Sequence, residues 1–147
     1  MKLGIVCGRF QVPELHEGHK KLIDQAIEEN DKVLVIICSS TVPNKERNPY
    51  SRSFRIEMIN KIYPKLSIEI LDDEELDEDW SAMLDFIVSE FINIHTDMPS
   101  NAEVTLYHGR DSFKDYYSGI YTTKEIESIP GVSGTEIRKK LKSKVNE

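Results

Sequence analysis

The stretch LGIVCGRFQVPELHEGH, Leu3 to His19, decides how this sequence is interpreted. Its first five residues are apolar or small, as in a buried strand, and apolar residues three and four apart follow it, as on one face of a helix. Gly8 lets the backbone turn closely where the strand ends, and Pro13 favours an extended loop. The stretch therefore predicts a strand, a loop with an arginine, and a helix start with two histidines.

The same alternation of strand and helix continues along the chain. Strand patterns rich in Ile and Val occur at 2–7, 32–40, 67–71 and 102–109, with a weaker one at 125–129. Helical patterns lie at 16–29, 51–63, 79–95 and 133–147. Alternating strands and helices in a chain of 147 residues predict a single-domain α/β fold with a doubly wound parallel sheet. In such folds ligands bind beyond the carboxyl ends of the strands.

Composition narrows the class of function. The net charge of −7 argues against a nucleic-acid binder, which would need a basic face. No apolar run reaches the ~20 residues of a membrane span, and the N-terminus lacks a signal-peptide pattern. Cys7 and Cys38 lie in strand-like runs without zinc-ligand spacing, which predicts reduced, buried thiols and a cytoplasmic protein. The small acidic chain leaves homo-oligomerisation open.

His16 and His19 are three residues apart at the predicted helix start, so their side chains can face the same side. A helix N-terminus offers unpaired N–H groups and the positive end of the dipole, which favour phosphate. Arg9 adds a guanidinium close to them. The structural alternative is a capping or core histidine pair. A metal site is disfavoured because no third ligand has suitable spacing.

A second candidate phosphate site is VSGTEIR at 132–138. Ser133 and Glu136 form a capping box, while Gly134 and Thr135 leave the first-turn N–H groups accessible and Arg138 lies one turn further on. The structural alternative is a well-capped last helix. Together with the first stretch, the motif predicts a second helix terminus that binds phosphate.

GRFQ with HEGH near the start and SGTEIR near the end resemble the nucleotidyltransferase superfamily that shares its HxGH motif with class I aminoacyl-tRNA synthetases. Within it, the chain is similar to the nicotinamide mononucleotide adenylyltransferases of the archaeal type and their bacterial Nudix-linked relatives. NPYSRSFRIEMI at 48–59 and HGRDSFKDYY at 108–117 resemble further family segments. The loop VPEL is longer than the family's, and Phe54 replaces an expected glutamate.

The resemblance implies a Rossmann-like nucleotidyltransferase fold and a role for each matching residue. Catalysis is assigned to Arg9, His16, His19 and Arg138. Nicotinamide mononucleotide is assigned to Asn48, Arg55, Asp73 and Trp80, with Asp73 accepting from the carboxamide and Trp80 stacking on the pyridinium ring. ATP and its phosphates are assigned to Gly8, Arg9, Phe10, Gln11, Gly18, His108, Gly109, Asp111, Ser133, Gly134, Thr135 and Arg138. Trp80 has a structural alternative as a core aromatic, and Arg52 and Arg55 could instead pair with surface acid.

The implied reaction joins ATP and nicotinamide mononucleotide into NAD and pyrophosphate by direct in-line attack. Mg²⁺ is expected with ATP, bridging phosphate oxygens, and no carboxylate cage for it is evident in the sequence. The expected partners are these two small molecules, without nucleic acid or membrane. Two alternatives stay open. One is another acceptor on the same fold (pantetheine-phosphate, glycerol-phosphate or flavin). The other is a non-catalytic module that senses nucleotides.

Overall fold

A computed structural model describes residues 1–39, 49–109 and 113–127. The helices and strands, in chain order, are β1 (Lys2–Gly8), α1 (Glu17–Glu29), β2 (Lys32–Ser39), α2 (Arg52–Ile62), β3 (Ser67–Asp72), α3 (Asp77–His95), β4 (Glu103–His108) and β5 (Thr122–Glu125). Short 3-10 turns cover Pro99–Asn101 and Phe113–Asp115.

The five strands form one parallel sheet in the order β3-β2-β1-β4-β5. The chain moves outward from β1 to β3 and then returns to the other side of β1 with β4. The order therefore reverses between β1 and β4, and this reversal opens a crevice at the carboxyl ends of those strands. The predicted doubly wound parallel sheet is confirmed.

Side-chain alternation along β1 and β2 builds a core on each face of the sheet. Leu3, Ile5 and Cys7 point to the side covered by α3, where they join a cluster with Leu84 and Val88. On the opposite side, the residues packed with α1 and α2 are Val6, Leu22, Ile23, Ala26, Val33, Val35, Ile37 and Ile59. Both strands are buried on two faces, which explains their continuous apolar sequence.

The predicted element boundaries agree with the structure to within about two residues, with one larger difference. The weak strand expected at 125–129 lies instead at Thr122–Glu125. The sequence TTKE has few apolar residues because β5 is an edge strand and most of its residues are exposed. The helix predicted at 133–147 lies outside the described residues. Within the described ranges, no helix has both the length and the apolar content of a membrane span.

Candidate active site

The loop after β1 brings an aromatic ring against the predicted histidines. Phe10 has a positive φ of 54°, which is uncommon for a side chain of this size, and it is almost fully buried. Its ring centroid lies 4.9 Å from that of His19. A Cβ at Gly8 would lie 3.0 Å from the Phe10 ring, so a glycine there allows this close approach. Strained backbone held by burial is typical of functional loops.

Gln11 ties this loop to the segment before α2. Its Nε2 donates to the Tyr50 carbonyl at 3.2 Å, and its Oε1 accepts from the Tyr50 N–H at 2.9 Å. The side chain is buried. Because both ends of the amide bond to backbone atoms, Gln11 holds two loops together at the carboxyl edge of the sheet. Its predicted contact with ATP stays a prediction.

His16 is the N-cap of α1. Its Nδ1 accepts a hydrogen bond from the His19 N–H at 3.1 Å, which satisfies one of the unpaired donors of the first turn. An accepting Nδ1 places the proton of the neutral ring on Nε2. Burial lowers the pKa of His16 below its usual value. The structure thus confirms that His16 caps the helix. The cap leaves Nε2–H of the same ring available as a donor.

The two imidazole rings are stacked, with centroids 3.6 Å apart and planes inclined by 13°. Burial, with a smaller contribution from His16, lowers the pKa of His19 to about 3. Its Nδ1 is buried and has no hydrogen-bond partner among the described residues. Both rings are consequently neutral near pH 7, and each can donate one N–H. Positive charge for a phosphate would have to come from groups other than these two rings.

Arg9, predicted to bind phosphate, instead contacts the residue predicted to bind nicotinamide. Its Nη2 donates to both carboxylate oxygens of Asp73, at 3.0 and 3.1 Å. The two side chains are partly exposed. Arg9 follows β1 and Asp73 follows β3, so the ion pair crosses the carboxyl end of β2, which lies between them.

Arg55 is buried, and its guanidinium bonds to the protein's own atoms. It donates to the carbonyls of Arg9, Cys38 and Ser51 and to the hydroxyl of Ser39. Burial, followed by the charges of Arg52 and Arg9, lowers its pKa. These contacts join the ends of β1 and β2 to α2. They give Arg55 a structural role, and its assignment to nicotinamide mononucleotide stays a prediction.

Trp80 lies in the first turn of α3 and is 8% exposed. It belongs to the core cluster under α3, and its ring centroid lies 5.8 Å from that of Phe113. In this packing the tryptophan is a core aromatic, as the structural alternative expects. Stacking on a pyridinium ring would require one face of the indole to be accessible to the ligand. The stacking stays a prediction.

His108 ends β4, next to β1 at the strand-order reversal. It is 1% exposed, its Nδ1 lies 2.9 Å from the Gly109 carbonyl oxygen, and Phe113 packs edge-on against its ring. A Cβ at Gly109 would meet no atom within 4 Å, so the backbone there borders open space. The position suits the predicted nucleotide contact, with the backbone of Gly109 more accessible than the imidazole.

The structure thus brings Gly8, Arg9, Phe10, Gln11, His16, His19 and Asp73 to one edge of the sheet, with Gly18 in the first turn of α1. The predicted site residues that lie outside the described residues are Asn48, Asp111, Ser133, Gly134, Thr135 and Arg138.

Sequence reasoning missed Ser39 and left Arg52 undecided. Ser39 ends β2, is buried, and accepts from both Arg52 Nε at 3.1 Å and Arg55 Nη2 at 3.2 Å. Arg52 also forms an ion pair with Asp72. The available signal was the polar residue directly after the apolar run VLVIIC, at a strand end where ligands bind.

The described residues contain no group of three or more His, Cys, Asp or Glu arranged to hold a metal ion. The two carboxylates that follow β3, Asp72 and Asp73, are each paired with an arginine. Either of these two carboxylates would have to exchange its arginine to contact a divalent ion.

Comparisons with known proteins identify the family and agree with the fold. A family model described as cytidylyltransferase-like matches residues 5–140. The chain is 29% identical over 146 residues to a nicotinamide-nucleotide adenylyltransferase of Methanocorpusculum labreanum, covering 96% of this chain and 80% of that protein. It is 27% identical to the protein of the same name from Thermococcus sibiricus, covering 94% and 72%.

Among solved structures, the fold is similar to that of a bifunctional NMN adenylyltransferase/ADP ribose pyrophosphatase from Francisella tularensis, complexed with AMP and a manganese ion. The TM-score is 0.76 at 23% identity, and the match covers 97% of this chain. This chain spans 42% of the length of that protein. At this identity the likeness establishes the fold.

Proposed function

The chain belongs to the cytidylyltransferase-like family, and we propose on that premise that it transfers AMP from ATP to nicotinamide mononucleotide, forming NAD and pyrophosphate. The observation that carries the proposal is the stacked pair of histidines at the start of α1, at the carboxyl edge of the sheet, where Arg9 also follows β1. The acceptor is supported by the relatives, which carry the name nicotinamide-nucleotide adenylyltransferase over most of this chain's length.

In the proposed reaction, a phosphate oxygen of the mononucleotide attacks the α-phosphorus of ATP. A new P–O bond forms, the bond from that phosphorus to the bridging oxygen of the β-phosphate breaks, and pyrophosphate leaves with its electrons. The attacking oxygen is already anionic at neutral pH, so no general base is required. The protein contributes positioning and charge stabilisation, as in other phosphoryl transfers.

The residues at the start of α1 supply the donors in this proposal. His16 Nε2–H and the neutral ring of His19 each donate to phosphate oxygens, and the first-turn N–H groups add the positive end of the helix dipole. Preorganised N–H donors stabilise a transition state in which negative charge develops on oxygens. Arg9 supplies the cationic charge. Ser133, Gly134, Thr135 and Arg138 are assigned to the leaving phosphates by the resemblance.

The acceptor lies against the turn between β3 and α3 in the same proposal. The Asp73 carboxylate accepts from the carboxamide N–H groups, and Trp80 contacts the pyridinium ring, a cation–π interaction worth ~1–2 kcal/mol when desolvated. Support comes from the position of Asp73, which reaches Arg9 and so adjoins the predicted phosphate site.

Mg²⁺ is proposed as a companion of ATP that would be held by phosphate oxygens and water. Support comes from Asp72 and Asp73, the two carboxylates that follow β3, because each is paired with an arginine. When bound, it would neutralise part of the phosphate charge.

A cytoplasmic location belongs to the same proposal and is supported by Cys7 and Cys38. Both are buried free thiols, and burial raises the pKa of Cys38 to about 12. The single-domain organisation is likewise proposed, and so is association into a homo-oligomer.

The test supplies purified protein with ATP and Mg²⁺ and, in separate reactions, nicotinamide mononucleotide, nicotinic acid mononucleotide, pantetheine phosphate and flavin mononucleotide, with CTP and glycerol phosphate as a further pair. Pyrophosphate release and the dinucleotide product are measured together. We expect NAD and pyrophosphate in equal amounts with nicotinamide mononucleotide. Turnover with another acceptor alone would reassign the substrate. ATP binding without any pyrophosphate release would favour the nucleotide-sensing alternative.

A further inference from the structure

The ion pair between Arg9 and Asp73 joins two residues that the proposed function assigns to different substrates. Arg9 is assigned to the phosphates of ATP, and Asp73 to the carboxamide of the acceptor. In the structure both carboxylate oxygens of Asp73 accept from the same nitrogen of Arg9. Before either substrate binds, the positive charge proposed for ATP and the carboxylate proposed for the acceptor are therefore paired with each other.

A neighbouring pair, Arg52 with Asp72, shows a different arrangement. Arg52 is also bonded through Nε to the buried Ser39 hydroxyl, so its guanidinium is fixed from two sides. Among the described residues, the Arg9 guanidinium bonds to Asp73 and to no second group. The Asp73 backbone is fixed, since its N–H donates to the Ser39 carbonyl at 2.8 Å. Arg9 can consequently exchange its partner while Asp73 stays in place.

We propose that ATP binding takes Arg9 away from Asp73 and thereby makes the Asp73 carboxylate available to the acceptor, so that ATP raises the affinity for the acceptor. This inference rests on the proposed function, since it uses the two substrates assigned there. A triphosphate offers Arg9 a more highly charged partner than a single carboxylate, and Arg–phosphate hydrogen bonds are charge-assisted. The Arg9–Asp73 pair thus couples the two binding sites, and each substrate favours the binding of the other.

The exchange costs little because the pair is accessible to water. The Arg9 side chain is 48% exposed and that of Asp73 is 32% exposed. Ion pairs of this kind correspond to a factor of about 1.5 to 5 in an equilibrium constant. Coupling between two binding sites is reciprocal, so the acceptor should strengthen ATP binding by the same factor.

The first experiment is a double-mutant cycle on triphosphate binding. The dissociation constant of α,β-methylene ATP is measured calorimetrically, without acceptor, for the wild type, Asp73→Asn, Arg9→Gln and the double variant. Asp72→Asn removes the same charge from the adjacent residue and serves as the matched control. We expect Asp73→Asn to tighten binding about two- to fivefold more than Asp72→Asn does, with this excess absent in the Arg9→Gln background.

An equal gain from Asp73→Asn with and without Arg9 would overturn the proposal, because the gain would then be a general charge effect. Weaker binding by Asp73→Asn, or no binding of the analogue by the wild type, would overturn it too. Melting temperatures of all variants show that each is folded.

The second experiment measures the affinity for nicotinamide mononucleotide with and without the saturating analogue. We expect the analogue to improve acceptor affinity about two- to fivefold more in the wild type than in Asp73→Asn; equal effects would overturn the proposal. The binding cycle uses no acceptor and no turnover, so NAD formation by the wild type reports on the proposed function separately.

Discussion

The helices α1 and α3 both begin at the carboxyl edge of the sheet, and their first turns are opposite in character. α1 starts with a histidine cap and two stacked neutral rings, and its single first-turn acid, Glu17, contacts Lys20 at 3.6 Å. α3 begins after Leu76 without a side-chain cap and carries Asp77, Glu78 and Asp79 in its first turn. Three carboxylates oppose the positive end of α3, whereas the first turn of α1 carries one, which is paired with Lys20. This difference favours the start of α1 for the proposed phosphate site.

The largest effect on stability should come from truncating Trp80, the buried side chain in the first turn of α3. Trp80→Ala should lower the free energy of unfolding by about 3–5 kcal/mol, because a large ring leaves the cluster that contains Phe113. Chemical denaturation measures this.

Trp80→Phe retains part of the packing and tests the ligand role. A rise in the KM for nicotinamide mononucleotide without a rise for ATP supports stacking, and equal rises contradict it.

At the start of α1, His19→Ala should lower kcat about a hundredfold, which corresponds to ~3 kcal/mol for one lost preorganised donor. Steady-state kinetics with both substrates saturating measures it. His95→Ala, at the end of α3 and remote from the site, is the control and should leave kcat unchanged. A His19→Ala enzyme with normal turnover would show that the ring only fills space beside Phe10.

The buried state of His19 also predicts how stability depends on pH. Its pKa is about 3 in the folded protein and about 6.5 when unfolded, so below pH 6.5 the unfolded chain binds a proton that the folded chain does not. The free energy of unfolding should therefore fall as pH decreases from 6.5 to 5, by at most about 1.4 kcal/mol per pH unit from this group. Comparing the wild type with His19→Asn isolates the contribution. Identical slopes would mean that the ring is not held neutral.

The smallest effect concerns the acidic first turn of α3. Asp77→Asn should destabilise the protein by about 0.3–1 kcal/mol, because a favourable interaction between a carboxylate and the helix dipole is lost. Thermal unfolding at low ionic strength measures it, with Glu90→Gln, outside the first and last turns of the same helix, as the control. An effect at high salt as large as that at low salt would argue against an electrostatic origin.

Much of the fold could be predicted because β1 and β2 are buried on both faces and therefore apolar at nearly every position. The edge strand β5 was misplaced by about three residues, since an exposed strand needs no apolar pattern. For the site, the spacing of His16 and His19 indicated a shared face, and the structure stacks the two rings. The assignments to Arg138 and its neighbours remain predictions.

The sequence by itself determined the alternation of strands and helices and the location of polar residues at strand ends, because periodicity and turn residues act over a few positions. Only the tertiary structure decided which of those polar groups meet. Asp73 is 64 residues from Arg9 and pairs with it. Arg55 is buried and donates to backbone carbonyls of two other segments, those of Arg9 and Cys38. Contacts between distant residues depend on strand order and on the path of each loop, which no local pattern encodes.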